Sequence, residues 1–207
     1  MPAPGPNGPK PRSDAEACAL LDEELTFLAP RRAALGDGGM LAVAGWKLTH
    51  AMEWEAACLA WSRAAELAPD DWEPVHQEGI CLLELGRWDA AADRFRRAMA
   101  IDARLVASGR DGVEWMEEDP AYRLGMALHA KGDLRAAIES YESSAARNPT
   151  GVDALREVAR CHLALEEPRE AIEALTRLER RAVRLTVRAE VMALRAEASR
   201  LLGVRHP

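Results

Sequence analysis

Residues 124–149 read LGMALHAKGDLRAAIESYESSAARNP, and the order of residue types in this stretch sets the reading of the whole chain. Leu124, Gly125 and Leu128 recur at helical spacing and Gly132 then interrupts the run. Ala137 and Tyr141 resume it until Pro149, which cannot continue a helix. The stretch therefore predicts two helices joined by a short turn. Gly125 and Ala137 are small enough to let the two backbones approach closely, and Tyr141 fills the space beside them.

The same register recurs on both sides. Gly45, Gly79, Gly125 and Ala159 are separated by 34, 46 and 34 residues. Ala57, Ala91, Ala137 and Ala171, each twelve places later, repeat those separations, and Trp61, Phe95, Tyr141 and Leu175 follow four places on. Leu48, Leu82 and Leu128 lie three places after the first small residue. Four units follow, 38–71, 72–105, 118–151 and 152–185, with one insertion at 106–117. No unit can bury its apolar face alone, so the units must stack.

These residues make the chain similar to tetratricopeptide repeat proteins, whose pattern is W-x2-LG-x2-Y…A-x3-F…P over about 34 residues. After the quoted stretch, the match is carried by Gly79, Leu82, Gly86, Trp88, Ala91, Phe95 and Ala98. Leu41, Gly45, Leu48, Trp54, Ala57, Trp61, Ala64 and Pro69 come next. Glu78 occupies a usually apolar place, Ala103 replaces the closing Pro and Ser144 replaces a small Ala. The last unit departs most, at His162, Glu166, Pro168 and Val183. The resemblance implies an all-α fold, a right-handed α-solenoid of about four helix pairs.

The flanks read differently. Residues 1–12, MPAPGPNGPKPR, are Pro- and Gly-rich with almost nothing to bury and are expected to be a disordered lead. Ser13 and Glu16 have capping-box spacing, and Cys18, Leu21, Leu25 and Leu28 predict an N-terminal helix over 14–29, within a segment 13–35. Gly36, Asp37, Gly38 and Gly39 are expected to break the chain. Over 186–207, Val187, Val191, Leu194, Ala198 and Leu201 trace one stripe of a capping helix. Residues 177–207 carry eight Arg against three Glu, which reads as a solvated outer face, a weak homodimer seam or a docking site for an acidic partner.

The 207 residues carry a net charge of −7, which argues against a nucleic-acid partner. No apolar run approaches a membrane span, so no membrane partner is expected. Cys18, Cys58, Cys81 and Cys161 form neither a CxxC pair nor a disulfide framework, which fits a reducing cytoplasm. No phosphate loop, HExxH or GxSxG motif is present, so the chain reads as no enzyme, without cofactor or metal. Adjacent Cys161 and His162 would point about 100° apart on a helix and cannot act together. His50, His76 and His129 lie on three helices without ligand-like spacing. Trp115, beside Met116 in the insertion, reads as a plug between repeat pairs or as a contact residue.

Recognition remains. By resemblance, the first helix of each unit lines an inner wall, with Trp46 and Thr49 in the first unit and His76 and Ile80 in the second. Tyr122 and Met126 follow in the third, and Arg156 and Arg160 in the fourth. That track suits a peptide or helix of a protein partner, unless the N-terminal helix fills it. The carboxylate clamp with which some members grip chaperone tails is absent, since Ala42, Trp46, His76 and Ile80 stand at its places and only the fourth unit, with Arg156 and Arg160, offers charge. The expected function is a non-catalytic scaffold or adaptor. The alternatives are a chaperone like those of type III secretion, acting on a secreted client, and a regulatory subunit of an enzyme complex.

Overall fold

A computed structural model describes residues 12–109, 119–148, 152–181 and 185–203. The lead before Arg12, Trp115 and Met116, Pro149, Val183, the side chain of Val187 and the tail after Gly203 lie outside the described residues. The helices are α1 (Asp14–Leu28), α2 (Arg32–His50), α3 (Trp54–Leu67), α4 (Trp72–Glu84) and α5 (Trp88–Ala107). They continue with α6 (Pro120–Lys131), α7 (Leu134–Arg147), α8 (Asp153–Ala164), α9 (Pro168–Arg181) and α10 (Leu185–Leu201). A 3-10 turn, Ala29–Arg31, joins α1 to α2, and no strand occurs among the described residues. The chain forms two compact units, Met1–Val113 with α1–α5 and Glu114–Pro207 with α6–α10.

In the first unit α2 pairs with α3 and α4 with α5, and α3 also packs on α4. The pairing follows from a contact between a small residue and a ring. A Cβ on Gly45 would lie 2.6 Å from the Trp61 ring, and one on Gly79 would lie 2.7 Å from the Phe95 ring. Real side chains do not approach that closely, so the two helices meet only because glycine leaves the room. Trp61 and Phe95 are fully buried, and each stabilises its unit by roughly 2–3 kcal/mol through the apolar area withdrawn from water. Glu78, in the usually apolar place, is buried too, and its carboxylate accepts from Arg94 Nε at 2.8 Å. Burial pushes the Glu78 carboxyl up, against the pull of Arg94.

The N-terminal helix starts where its sequence places it. Ser13 Oγ accepts from the Glu16 N–H at 3.3 Å, and the Glu16 carboxylate accepts from the Ser13 N–H at 2.8 Å. Ala17, Leu21 and Leu28 of α1 are buried with Leu41, Ala57 and Trp61 in one cluster, and α1 packs on α3 and α2. Its polar contacts with α2 run through Lys47, which bonds Glu24 at 2.6 Å and holds its ammonium 5.1 Å from the Phe27 ring centroid. Lys47 and Trp46 point about 100° apart. The leading helix therefore reaches α2 at Lys47, and Trp46 packs against the same buried cluster from its own side. The break expected over 36–39 shrinks to a single residue. Gly36 takes φ +67° and kinks α2, while Gly38 and Gly39 stay within the helix.

In the second unit α6 pairs with α7 and α8 with α9, and α7 packs on α8. A Cβ on Gly125 would lie 2.6 Å from the Tyr141 ring. In the last hairpin the pair is Ala159 and Leu175, both fully buried, where a smaller knob leaves room for a methyl group. Arg177 donates to both oxygens of Glu142 at 2.6 and 2.7 Å, joining α9 to α7. α10 packs on α9 and α8, with Val191 and Ala198 buried. The stripe expected as a homodimer seam thus has these two residues covered inside the unit.

All four hairpins turn in the same way. Met52, Gly86, Gly132 and Glu166 adopt positive φ of 58°, 71°, 91° and 57°. The next N–H, of Glu53, Arg87, Asp133 and Glu167, donates to the carbonyl of Leu48, Leu82, Leu128 and His162. This is the Schellman closure of a helix, repeated at the period of the sequence.

Candidate functional site: the first-helix wall

The first unit presents Trp46 from α2 and Ile80 from α4 at equivalent places, both half-buried. The Trp46 ring stands edge-on to Trp61 with centroids 5.5 Å apart, and the His50 ring lies 5.9 Å away. Packing on a buried tryptophan fixes the Trp46 rotamer while leaving part of its ring open. Thr49 is half-buried because its Oγ1 accepts from Trp61 Nε1 at 3.2 Å. It supports the wall from behind. His76 departs from the expected open wall. It is fully buried, with ring centroids 5.7 Å from Trp72 and 5.4 Å from Phe95. Two aromatic neighbours on either side close over it.

The second unit presents Tyr122 and Met126 from α6, both half-buried. The Tyr122 ring lies 5.4 Å from Tyr141, and Arg123 Nη1 donates to Met126 Sδ at 3.9 Å. Burial, with Glu157 and Asp153 adding to it, pushes the Tyr122 phenol up. From α8, Arg156 Nη1 donates to Asp153 at 2.8 Å and Arg156 Nε to Glu157 at 3.3 Å. Arg160 Nη1 donates to Glu157 at 2.9 Å, and Arg160 also pairs with Glu190 of α10. The charged end of the wall is thus a network of two arginines and three carboxylates rather than a bare cationic patch.

The reactive residue types have other uses. His162 Nδ1 lies 2.8 Å from Glu167 Oε2, and Arg135 holds the same carboxylate, tying the last turn to α7. Burial pushes the Cys58 thiol up to about 11 and the Cys161 thiol up to about 12, and Cys81 is raised further. Protonated thiols of this kind are poor nucleophiles. Among the described residues no group of three or more His, Cys, Asp or Glu could hold a metal ion, and no helix is long and apolar enough to cross a membrane.

Repeated hairpins, each closed by the same left-handed turn and three of them packed by glycine under an aromatic ring, define an all-α helical-hairpin repeat protein. A family model described as tetratricopeptide repeat matches residues 128–197, and the helical hairpins of the chain have the fold of that family. It is 29% identical over 122 residues to the BBSome complex member BBS4 of Bos taurus, a match covering 58% of this chain and 21% of that protein. Among solved structures, MamA superposes with a TM-score of 0.64 at 17% identity, over 83% of this chain and 92% of its own. YrrB, described as a TPR protein with an unusual peptide-binding site, superposes with a TM-score of 0.65 at 15% identity, over 88% of this chain and 85% of its own. The matches span 21% or less of the length of the curated relatives.

Proposed function

We propose that the chain is a non-catalytic protein-interaction scaffold that takes a peptide or helical segment of a partner on its first-helix walls. The carrying observation is that Trp46, Ile80 and Met126 hold equivalent places in successive hairpins and remain partly exposed. Large apolar side chains at such repeated places act as anchors for side chains of an extended or helical ligand. Thr49 orients the surface of the first unit and Tyr122 that of the second, where Arg156 and Arg160 supply charge. His76 serves behind the wall, stiffening it. A wall whose rotamers are already set loses little freedom on binding, so the ordering cost falls on the ligand. The peptide-binding site named for YrrB belongs to a protein of the same fold and supports this reading. The four free cysteines support a reducing, cytoplasmic setting.

The test is a displayed peptide library selected on the full chain, with selected peptides measured against Trp46→Ala, Ile80→Ala and Met126→Ala. Loss of about tenfold or more in affinity is expected for the variant in the unit that holds the peptide. Selected peptides that bind all three variants as tightly as the parent would overturn the proposal.

A further inference from the structure

Arg156 and Arg160 stand one turn apart on α8, at the places where α6 carries Tyr122 and Met126. Both guanidinium groups meet one carboxylate from another helix. Glu190 of α10 pairs with Arg160 through one oxygen and reaches Arg156 Nη1 at 3.7 Å through the other. Glu157 holds the inner side of both arginines, at 2.9 and 3.3 Å, and Asp153 holds the outer flank of Arg156 at 2.8 Å. Asp153, 62% exposed, is the most open of the three but bonds Arg156 one turn along its own helix, so reach and accessibility together assign the roles of these carboxylates. The Glu157 side chain is 11% exposed, whereas Glu190 is 36% exposed and Arg160 is 44% exposed. Glu157 belongs to the frame, and Glu190 is a carboxylate seated on the open face.

We propose that Glu190 is an internal stand-in for an acidic side chain of a bound peptide, and that an aspartate or glutamate of the partner replaces it on Arg156 and Arg160. The inference rests on the wall reading given above, applied to the second unit. It names the occupant: an acidic peptide segment with an apolar residue beside the acid. Tyr122 stands ready for that neighbour, close enough to α8 to feel the charges of Asp153, Arg156 and Glu157. The displaced Glu190 stays tethered beside the arginines, so an incoming acid adds one negative charge to the site and the apolar contact has to offset that repulsion. Arginine forks accept any carboxylate of suitable approach, and partly exposed pairs of this kind hold their partners weakly. Glu190 therefore acts as a tethered competitor, always present at the site and displaced only by a ligand that brings its own acid and an apolar contact.

The experiment compares a labelled peptide of alternating Glu and Leu with its Gln and Leu counterpart, by fluorescence anisotropy on the full chain at low ionic strength. Glu190→Gln is expected to bind the Glu peptide about threefold more tightly than the parent, because the tethered competitor has lost its charge. The Gln peptide is expected to bind the two proteins equally. R156A/R160A is expected to lose about tenfold or more for the Glu peptide. Arg160→Gln replaces that double variant if its helical circular dichroism is lost. Equal affinity of the Glu peptide for the parent and Glu190→Gln overturns the exchange. If the Gln peptide still binds in a manner that Met126→Ala weakens, the wall reading survives that result. Failure of both peptides to bind Glu190→Gln overturns the exchange and the second-unit wall together. A merely structural role for Glu190 would loosen α10 in hydrogen exchange and leave both affinities unmoved, which also overturns it.

Discussion

Each unit contains one hairpin that turns on glycine and one that turns on a residue with a side chain. α4–α5 turns at Gly86 and α6–α7 at Gly132, whereas α2–α3 turns at Met52 and α8–α9 at Glu166. The same backbone bond closes all four, from Glu53, Arg87, Asp133 or Glu167 to the carbonyl five residues back. The turn geometry is therefore set by helix closure and packing, and glycine only removes a local strain of about 1 kcal/mol. The packing repeats the lesson with one exception. Three hairpins set glycine under a ring, and the fourth sets Ala159 against Leu175. What survives in all four is a trade of size, with room for a methyl on the first helix only where the second offers Leu instead of a ring.

The hardest way to break that comparison is to remove a ring. Trp61→Ala should cost about 3–5 kcal/mol in the first unit, read as a lower denaturant midpoint by circular dichroism. Next is the trade of size. Gly125→Ala adds a methyl 2.6 Å from the Tyr141 ring and should cost about 1–3 kcal/mol. Tyr141→Leu in the same chain copies the last hairpin and should recover at least half of that loss. A double variant no better than Gly125→Ala would show that this trade is not what matters. Glu78 offers a milder contrast. Arg94→Ala, which strands a buried carboxylate, should cost on the order of 2 kcal/mol, while Glu78→Leu should stay within about 1 kcal/mol of the parent.

The turns give smaller effects of opposite sign. Gly132→Ala should destabilise the second unit by about 1 kcal/mol, and Glu166→Gly should stabilise it by about 0.5 kcal/mol once the freer unfolded chain is counted. Melting curves of the two variants should move in opposite directions. Least of all is a pH effect at the same turn. The His162 bond, with Arg135 beside it, holds the Glu167 carboxyl below its ordinary value. A depressed folded value stabilises the fold above the unfolded value and loses that contribution as pH falls through the folded one. Stability of the parent should thus decline on acidification below the ordinary carboxylate range. In Glu167→Gln that part of the slope should vanish from denaturation midpoints measured across the same range.

The hairpins are legible in the chain because each depends on two residues sixteen places apart, such as Gly45 and Trp61, and a pair like that repeats visibly. The turns are legible at Gly86 and Gly132 and hidden at Met52 and Glu166, where backbone bonds impose a conformation the residue type does not announce. The wall is only half legible. Helical register places Trp46, Ile80 and Met126, but it cannot show that the Trp72 and Phe95 rings enclose His76. Nor can it show that Arg160 meets Glu190, thirty residues on in a helix outside the repeat. Gly36 differs again. A run of three glycines and an aspartate looks like a break, yet the burial of Met40, Leu41 and Ala44 keeps the backbone coiled around all but the first.

The uniform turns bear on how the chain comes to be folded. Every ring-and-glycine contact joins residues from one hairpin, so none has to wait for a distant part of the chain. Proteins dominated by such near-neighbour contacts reach their native state quickly, and sections emerging from the ribosome can organise as they appear. During synthesis α2 can close on α3 while the residues of α6 are still untranslated, which leaves Trp61 exposed to unwanted association only briefly.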